Sequence, residues 1–365
     1  MIRGKAAIYE GPGLSMKIKE FPLPEVDPDA VLIKISLANI CGSDIHIWKG
    51  ERKRSVLPTI LGHEMTGTVY HLGKNVHTDS TGKPLSEGDR VVYSYMKPCF
   101  RCPTCLKGQS YACPFRYPLV GAISPDTPPH FIGAFAEYYY LIPGLAIFKV
   151  PDVLSNEEVS PINCALSQAV FSLHRIDIHL GDVVAIQGAG GLGLNTIAVA
   201  KEMGAGTIIA IDGVEERLML AKEFGAAYTI NINNFRTREE RLEQVMQITN
   251  GNLADVVVEA TGNPGVISEG IEMLRYGGRY LILGSILIDR STELAPGSMI
   301  RKNLTLKFVG YYEPWAMSKG LELLVRTKSK YPFGKIVSHK FRLEQINEAF
   351  KFADRGTSIR VAIEM

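Results

Sequence analysis

The stretch that decides the fold is Val183-Val-Ala-Ile-Gln-Gly-Ala-Gly-Gly-Leu-Gly193. Its first five residues are typical of a buried strand, and the glycine-rich turn after them leads into a helical pattern. In the pattern G-x-G-x-x-G the first glycine permits a tight turn, the second lets a pyrophosphate approach the backbone, and the third lets helix and strand pack closely. The amides that open the helix then face the anion. We therefore predict a dinucleotide site that includes Gly188, Gly190, Gly191, Leu192 and Gly193.

On both sides of this stretch, from about residue 166, the sequence alternates between strand and helix patterns. The predicted strands are 183–187, 207–211, 228–230, 255–259, 279–284 and 304–309. The predicted helices are 192–203, 215–224, 237–249 and 265–275. Strands linked by crossover helices indicate a doubly wound parallel sheet, so we predict a Rossmann domain over residues 166–310.

An acidic residue ends the second predicted strand, in Ile209-Ala-Ile-Asp212-Gly. A carboxylate there can accept hydrogen bonds from the adenosine ribose hydroxyls, and it would repel a 2′-phosphate. We therefore predict NAD rather than NADP as cofactor, although the nearby Arg217 could soften that discrimination. A glycine-rich structural turn beside an exposed aspartate is the alternative.

The first 150 residues or so have a different texture, with short alternating runs broken by Gly and Pro. Runs starting at residues 30, 67 and 90 predict strands of a β-rich unit, and segments 76–88 and 115–133 predict surface excursions. The last 55 residues break the strand–helix rhythm. We predict that they return to the first unit, which gives a catalytic domain of residues 1–165 and 311–365 in an α/β protein.

Four cysteines follow the spacing C-x2-C-x2-C-x7-C, namely Cys99, Cys102, Cys105 and Cys113. Four thiolates this close in sequence can surround one tetrahedral Zn²⁺ and leave no open position, which is typical of a structural site. The alternatives are free surface thiols and a zinc ribbon that touches nucleic acid. Three basic residues around the lobe are too few for a phosphate-binding surface, so we favour a structural brace.

A second group of potential ligands lies in Cys41-Gly-Ser-Asp-Ile-His46 and Gly62-His-Glu64. A histidine after a glycine is by itself more often a packed or surface residue than a ligand. Because this histidine, His63, accompanies Cys41 and lies upstream of a predicted dinucleotide site, we favour a metal ligand. Cys164 by itself would be a small buried hydrophobic residue.

With these motifs in place, the chain resembles the zinc-containing medium-chain alcohol dehydrogenases over nearly its whole length. The landmarks are Cys41-Gly-Ser-Asp-x-His46, Gly62-His63-Glu64, Gly88-Asp89-Arg-Val, the four-cysteine lobe, Gly188-Ala-Gly-Gly-Leu-Gly193 and Ser358-Ile-Arg360. The resemblance implies a GroES-like catalytic domain beside the Rossmann domain. It also implies an NAD-dependent oxidoreductase with two Zn²⁺ per chain, one catalytic and one structural.

The resemblance also implies a role for each candidate residue. It implies three ligands to a catalytic zinc with one open position, the ligands being Cys41, His63 and Cys164. Glu64 is then a carboxylate that can approach the metal, and Asp44 supports a ligand imidazole. Ser43 and His46 look like a proton relay to solvent. The implied cofactor contacts, besides the glycine motif and Asp212, are Arg217, Thr261, Gly284 and Arg360.

The expected reaction is hydride transfer between NAD and a primary or secondary alcohol, or the matching aldehyde or ketone. A polyol or sugar dehydrogenase is the alternative, although that branch often has a glutamate where this chain has Cys164. A non-catalytic relative is a third reading, against which the retained ligand and relay residues count. The aromatic candidates for an apolar or cyclic substrate pocket, with ordinary packing as the alternative, are Trp48, Tyr93, Tyr95 and Tyr111.

Composition excludes several other classes of protein. The 365 residues carry 40 basic and 38 acidic side chains, so no strong field favours nucleic acid or an anionic membrane. The N-terminal sequence lacks the apolar region of a signal peptide. The longest apolar runs elsewhere in the chain are as short as strands, too short to span a bilayer. We expect a cytoplasmic enzyme that forms homo-oligomers, tetramers or dimers, and that binds neither nucleic acid nor membrane.

Overall fold

The computed structural model describes residues 2–53, 56–118 and 123–365. Within them the strands are β1 (Arg3–Tyr9), β2 (Lys17–Pro22), β3 (Val31–Ile40), β4 (Thr59–Ile60), β5 (Glu64–Leu72), β6 (Arg90–Tyr93), β7 (Met96–Lys97), β8 (Tyr117–Pro118), β9 (Tyr138–Leu141), β10 (Ile147–Lys149), β11 (Val183–Gln187), β12 (Thr207–Asp212), β13 (Tyr228–Asn231), β14 (Ala254–Glu259), β15 (Leu274–Ile282), β16 (Thr305–Phe308), β17 (Val337–Arg342) and β18 (Arg360–Glu364). The α-helices are α1 (Gly42–Trp48), α2 (Pro103–Leu106), α3 (Asn156–Val159), α4 (Ser167–Ile176), α5 (Gly191–Glu202), α6 (Glu215–Glu223), α7 (Arg238–Ile248), α8 (Ile267–Glu272), α9 (Pro296–Lys302), α10 (Trp315–Thr327) and α11 (Ile346–Asp354).

The chain forms two compact units. The first consists of Met1–Cys164, Glu313–Lys328 and Phe333–Met365, and the second of Ala165–Tyr312 and Ser329–Pro332. Among the described residues, no helix is long and apolar enough to cross a membrane.

The second unit is built on a six-stranded parallel sheet in the order β13-β12-β11-β14-β15-β16. This is the Rossmann strand order, in which the chain first winds outward from β11 in one direction and then continues from β14 in the other. Ligands of such sheets bind at the carboxyl ends of the strands at this switch point. The turn after β11 lies there, and the fold class predicted from the sequence is confirmed.

Two boundaries in this unit differ from the prediction by more than two residues. The helix predicted over 265–275 is a 3₁₀ turn (Pro264–Val266) followed by the short α8, and β15 begins at Leu274 rather than at residue 279. Leu274 pairs with Ala254 of β14, with an irregularity before the next pair. Pairing across the sheet therefore ends the helix early, and local helical periodicity does not reveal it.

The first unit contains a seven-stranded sheet in the order β10-β6-β5-β3-β18-β17, with β9 also paired to β3. A three-stranded sheet, β2-β1-β4, lies in the same unit, and one large hydrophobic cluster fills its interior. The C-terminal strands β17 and β18 join the large sheet next to β3. The excursion predicted at 115–133 is largely irregular where described, and its residues 119–122 lie outside the described residues.

Strand register in this unit sets the position of the ligand segments. Antiparallel β3 and β5 place Asn39 opposite Glu64. Cys41 follows the end of β3 and His63 precedes the start of β5, so this pairing brings the two residues together although they are far apart in sequence.

Candidate metal and cofactor sites

Cys41, His63 and Cys164 converge in the first unit, with their ligand atoms all within 4.8 Å of one another. The Sγ atoms of Cys41 and Cys164 are 4.0 Å apart, and Cys164 Sγ is 3.4 Å from His63 Nε2. Tetrahedral zinc with Zn–S bonds of about 2.3 Å separates two ligand sulfurs by about 3.8 Å. The three side chains therefore fit a zinc ion with three protein ligands and a fourth position available.

Cys164 reaches this cluster from a π-helical turn, Ile162–Leu166. Such turns insert one residue into a helix and often occur at functional sites. Asn163, the neighbouring residue, fixes the turn on β5: its Oδ1 accepts from Met65 N–H at 3.1 Å and its Nδ2 donates to Met65 O at 3.0 Å.

Asp44 contacts the His63 ring at Nδ1, whereas the other ring nitrogen lies near the thiol of Cys164. Its Oδ1 lies 3.5 Å from His63 Nδ1, and it accepts hydrogen bonds from the backbone N–H groups of Cys41 at 2.9 Å and Gly62 at 3.3 Å. One buried carboxylate thus fixes both ligand segments and leaves His63 Nε2 facing the thiols. In metal sites, a carboxylate that does not bind the metal often orients a metal-bound histidine in this way.

Glu64 lies beside the cluster as a buried carboxylate. Its Oε1 accepts from Asn39 Nδ2 at 2.9 Å and forms an ion pair with Arg360 Nε at 3.2 Å, whereas no described atom hydrogen-bonds to its Oε2. A buried carboxylate oxygen without a donor is costly unless a cation lies near it. The orphaned Oε2 therefore also fits a metal ion at this cluster.

The electrostatics of the cluster favour a thiolate at Cys41. The Cys164 thiol, helped by His63 and Arg360, holds the pKa of Cys41 well below its usual range in spite of burial. The same contact with Cys41, together with burial, raises the pKa of Cys164. Burial works against a charged His63, but Asp44 and Cys41 outweigh it and raise its pKa to about 10. A divalent cation at this position would stabilise both thiolates and displace the imidazole proton.

The four-cysteine lobe forms a second cluster in the same unit. Its sulfur atoms also lie within 4.8 Å of one another, with Cys102–Cys113 and Cys113–Cys99 separations of 3.9 and 3.5 Å. The backbone N–H groups of Cys105 and Cys99 point at Cys102 Sγ and Cys113 Sγ, each at 3.4 Å. Amides directed at sulfur stabilise thiolate ligands, so the lobe fits a closed, structural zinc site.

In the second unit, the glycines of the motif have the steric roles that a dinucleotide site needs. Gly188 has φ +98°, and a Cβ on Gly193 would overlap the Gly188 carbonyl oxygen. A Cβ on Gly190 would meet no described atom within 4 Å, which leaves the space that a pyrophosphate requires. Among the described residues, no side chain caps the start of α5, so its first amides are available to an anion.

Asp212 ends β12 beside this turn. Its Oδ2 accepts from Ala189 N–H at 2.7 Å and its Oδ1 from Val214 N–H at 2.9 Å, while Arg217 Nη1 lies 3.6 Å from Oδ2. A carboxylate has about four lone-pair sites, so at least one remains for a ribose hydroxyl beside the two backbone donors and Arg217. The residues fit NAD, and Arg217 is already paired with the acid.

Glu259, which the sequence analysis missed, ties the other cofactor segments together. This buried carboxylate at the end of β14 accepts from Thr261 N–H and Oγ1–H at 2.6 Å and from Gly262 N–H at 2.7 Å, all at Oε1, and from Gly284 N–H at 3.0 Å at Oε2. The loops after β14 and β15 are thereby fixed to each other. An acidic residue at the end of the apolar run Val256-Val-Val-Glu259 was the available signal.

The predicted relay residues lie at the start and in the last turn of α1. Ser43 is partly exposed, and His46 Nδ1 lies 2.6 Å from Glu51 Oε2. Arg360, which the resemblance assigns to the pyrophosphate, is buried and paired with Glu64. Both assignments stay predictions.

Two family models match the chain: an alcohol dehydrogenase GroES-like domain over residues 27–152 and a zinc-binding dehydrogenase domain over residues 191–326. The L-threonine 3-dehydrogenase of Bacillus subtilis (strain 168) is 31% identical, with 98% of each chain covered. The chain belongs to the zinc-containing alcohol dehydrogenase family. The resemblance seen in the sequence is confirmed, and the protein is a zinc- and nicotinamide-dependent oxidoreductase.

Other relatives of this dehydrogenase differ in the substrates they are named for. The 5-exo-hydroxycamphor dehydrogenase of Pseudomonas putida is 30% identical over 94% of both chains. The sorbitol dehydrogenase of Rattus norvegicus is 30% identical over 98% of this chain and 94% of its own. An alcohol dehydrogenase from Thermotoga maritima has a similar crystal structure, with a TM-score of 0.93, 29% identity and full coverage of both chains.

Three of the aromatic candidates in this dehydrogenase, Tyr93, Tyr95 and Trp48, have different surroundings. Tyr93 is fully buried and packs on Tyr139 with ring centroids 4.9 Å apart, so it belongs to the hydrophobic core. Tyr95 lies against the candidate ligand His63, also with ring centroids 4.9 Å apart. Trp48 contacts Phe350 at 5.8 Å. Tyr95 therefore has a direct ring contact with one member of the cluster.

Proposed function

We propose that this dehydrogenase transfers a hydride between NAD and a primary or secondary alcohol, or the corresponding aldehyde or ketone. The observation that carries the proposal is the convergence of Cys41, His63 and Cys164, which offers a metal three protein ligands. Three ligands and an open position are typical of catalytic zinc, whereas four closed ligands are typical of structural zinc. The glycine motif and Asp212 support NAD as the hydride acceptor.

In this proposal each residue has a separate task. Cys41, His63 and Cys164 would hold a zinc ion, which would supply a Lewis acid that lowers the pKa of a substrate hydroxyl or polarises a substrate carbonyl. Asp44 keeps the His63 ring in one orientation, since it is tied to the backbone on both sides. Ser43 and His46 carry the alcohol proton to solvent.

The cofactor residues divide the dinucleotide among them. Gly188, Gly190, Gly191, Leu192 and Gly193 receive the pyrophosphate, and Asp212 with Arg217 receives the adenosine ribose. Thr261 and Gly284 line the loops after β14 and β15, which Glu259 joins. We assign Arg360 to the pyrophosphate on the resemblance alone, since in the structure it is paired with Glu64.

A polyol dehydrogenase is the second candidate, and the sorbitol dehydrogenases among the relatives favour it. The position of Cys164 among the ligand atoms supports the alcohol reading, because the polyol branch often has a glutamate at that place.

A substrate panel separates these candidates. Purified enzyme with bound zinc is assayed by absorbance for NADH or NADPH with ethanol, cyclohexanol, a bicyclic secondary alcohol, sorbitol, xylitol and L-threonine. We expect the highest kcat/KM for a monohydric alcohol with NAD⁺. A higher value for sorbitol or xylitol would favour the polyol candidate. A zinc-replete enzyme with no turnover on any substrate would contradict both.

We also propose that the chain acts in the cytoplasm as a homo-oligomer, a tetramer or a dimer. Apolar side chains at and near the edge strand β16 support self-association, since Phe308 and Ile300 are 68% and 76% exposed. Light scattering after gel filtration should give a mass that is a multiple of 40.2 kDa. A monomer that does not change with concentration would exclude the proposal.

A further inference from the structure

The relay histidine has a carboxylate partner that the family motifs do not include. His46 Nδ1 lies 2.6 Å from Glu51 Oε2, which is the distance of a charge-assisted hydrogen bond. The side chains are 29% and 35% exposed, so the ring reaches solvent while one of its nitrogens is engaged.

The backbone builds this pair into the end of α1. Glu51 N–H and Arg52 N–H both donate to the carbonyl oxygen of His46, at 2.9 and 3.1 Å. Gly50, with φ +80°, reverses the chain between them and donates to Ile47 O at 2.9 Å. The backbone of Glu51 is thus hydrogen-bonded to that of His46, so less conformational entropy is lost when the two side chains meet.

Basic residues flank His46 and Glu51 in the same segment of the chain. Lys49, in the same turn, forms an ion pair with Asp354 of α11 at 2.7 Å. Arg52 is the next residue after Glu51, and its described contact here is through its backbone. Glu51 is therefore the acidic side chain in direct contact with the His46 ring among the described residues.

We propose that Glu51 is a positioning residue of the proton relay, one that fixes the His46 ring through Nδ1–H and leaves Nε2 as the nitrogen that accepts the substrate proton. This inference rests on the proposed alcohol oxidation, in which the substrate loses a hydride to NAD⁺ and a proton to the relay. The proton binds at Nε2 and leaves from Nε2 to water, while the Nδ1–H bond to Glu51 persists throughout. The carboxylate stabilises the transient imidazolium and stays deprotonated, as the aspartate of a His–Asp pair does.

The first test reads the tautomer directly and does not depend on activity. The full-length enzyme, labelled with ¹⁵N on the rings of its eight histidines, is studied by long-range ¹H–¹⁵N NMR at a pH where neutral imidazole dominates. His46→Gln assigns the resonance. We expect His46 to hold its proton on Nδ1, and Glu51→Ala to shift the ring to an averaged mixture of tautomers. A His46 spectrum that does not respond to Glu51→Ala would overturn the proposal.

The chain supplies a matched control. His71 Nδ1 lies 2.7 Å from Glu87 Oε1, a pair of the same chemistry on the same unit but outside the relay. Glu87→Gln should change the His71 resonance, leave the His46 resonance in place and leave the rate of NADH formation unaltered.

The second test asks whether Glu51 acts through His46. General acid–base groups contribute about 10²–10⁴-fold to a reaction rate, and this partner acts indirectly from a side chain that is about one-third exposed. We therefore expect Glu51→Ala to lower the single-turnover rate about 3- to 10-fold with KM nearly unchanged. Glu51→Gln, which keeps an acceptor but not the charge, should lie between. In the double variant with His46→Gln, the loss should equal that of His46→Gln alone. Losses that multiply would refute the positioning role, and a wild-type enzyme without turnover would refute the proposed function instead.

Discussion

Removing the Glu259 carboxylate tests how the cofactor loops are held. In Glu259→Ala the donors Thr261 N–H, Thr261 Oγ1–H and Gly262 N–H lose their acceptor, whereas Gly284 N–H keeps a contact to the Glu259 backbone oxygen at 3.2 Å. An unsatisfied buried donor costs about 1–3 kcal/mol, and water reaches these loops, so the lower end applies to each. The free energy of unfolding should fall by about 3 kcal/mol.

The conservative variant Glu259→Gln should lose less. Its amide oxygen can still accept at the Oε1 position, but its NH₂ group would face Gly284 N–H, donor against donor. Replacing charge-assisted bonds by neutral ones and losing one of them should lower stability by about 1–2 kcal/mol. Both variants should weaken NADH binding, since the loops that carry Thr261 and Gly284 are released.

Urea unfolding followed by circular dichroism gives the stability, and NADH fluorescence titration gives the affinity. Glu239→Gln is the control, because Glu239 is exposed on α7, away from these loops, and should change neither quantity. Surface substitutions usually change the free energy of unfolding by less than about 0.5 kcal/mol. If the free energy of unfolding of Glu259→Ala lies within about 0.5 kcal/mol of the wild-type value, the carboxylate does not hold the loops.

Four further substitutions test the remaining sites. Gly193→Ala should abolish NADH binding, because its Cβ would overlap the backbone oxygen of the motif's first glycine. The matched control is Gly297→Ala, whose Cβ would meet no described atom within 4 Å. Unimpaired NADH binding by Gly193→Ala would contradict the packing argument. Asp212→Gly should reduce the ratio of kcat/KM for NAD⁺ to that for NADP⁺, and an unchanged ratio would show that the carboxylate does not select the cofactor. By atomic absorption, Cys41→Ser should retain one zinc per chain without turnover. Cys113→Ser should also retain one zinc but lose thermal stability, and two zinc ions in either variant would exclude its assigned ligand.

The cofactor half of the molecule was largely predictable from local sequence. In Val183–Gln187 and the glycines after it, strand, turn and helix are encoded within about a dozen consecutive residues, so periodicity and steric need point the same way. The same reasoning failed over residues 265–275, where the pairing of Leu274 with Ala254 overrides a helical pattern. Local propensity has no access to a strand partner 20 residues away.

Local sequence could not predict side-chain contacts across loops, for a related physical reason. Glu51 and Glu259 act through hydrogen bonds whose geometry depends on where a turn places the backbone. An acidic residue at a turn is ordinarily a solvated side chain, so its type alone does not mark it. Tyr93 shows the converse case, since its place near the ligand segments suggested a pocket and its strand directs it into the core.

The two candidate zinc clusters differ in how they are encoded, and that difference bears on the chemistry we propose for them. The four-cysteine lobe is specified by spacing within 15 residues and can form its site from one short segment. The cluster of Cys41, His63 and Cys164 needs the β3–β5 register and a π-helical turn, so its candidate ligands are held by the fold rather than by one segment. A site held from three separate elements can leave a coordination position unfilled without collapsing onto it, since no single loop is free to close around the metal. That rigidity is what an open zinc site requires.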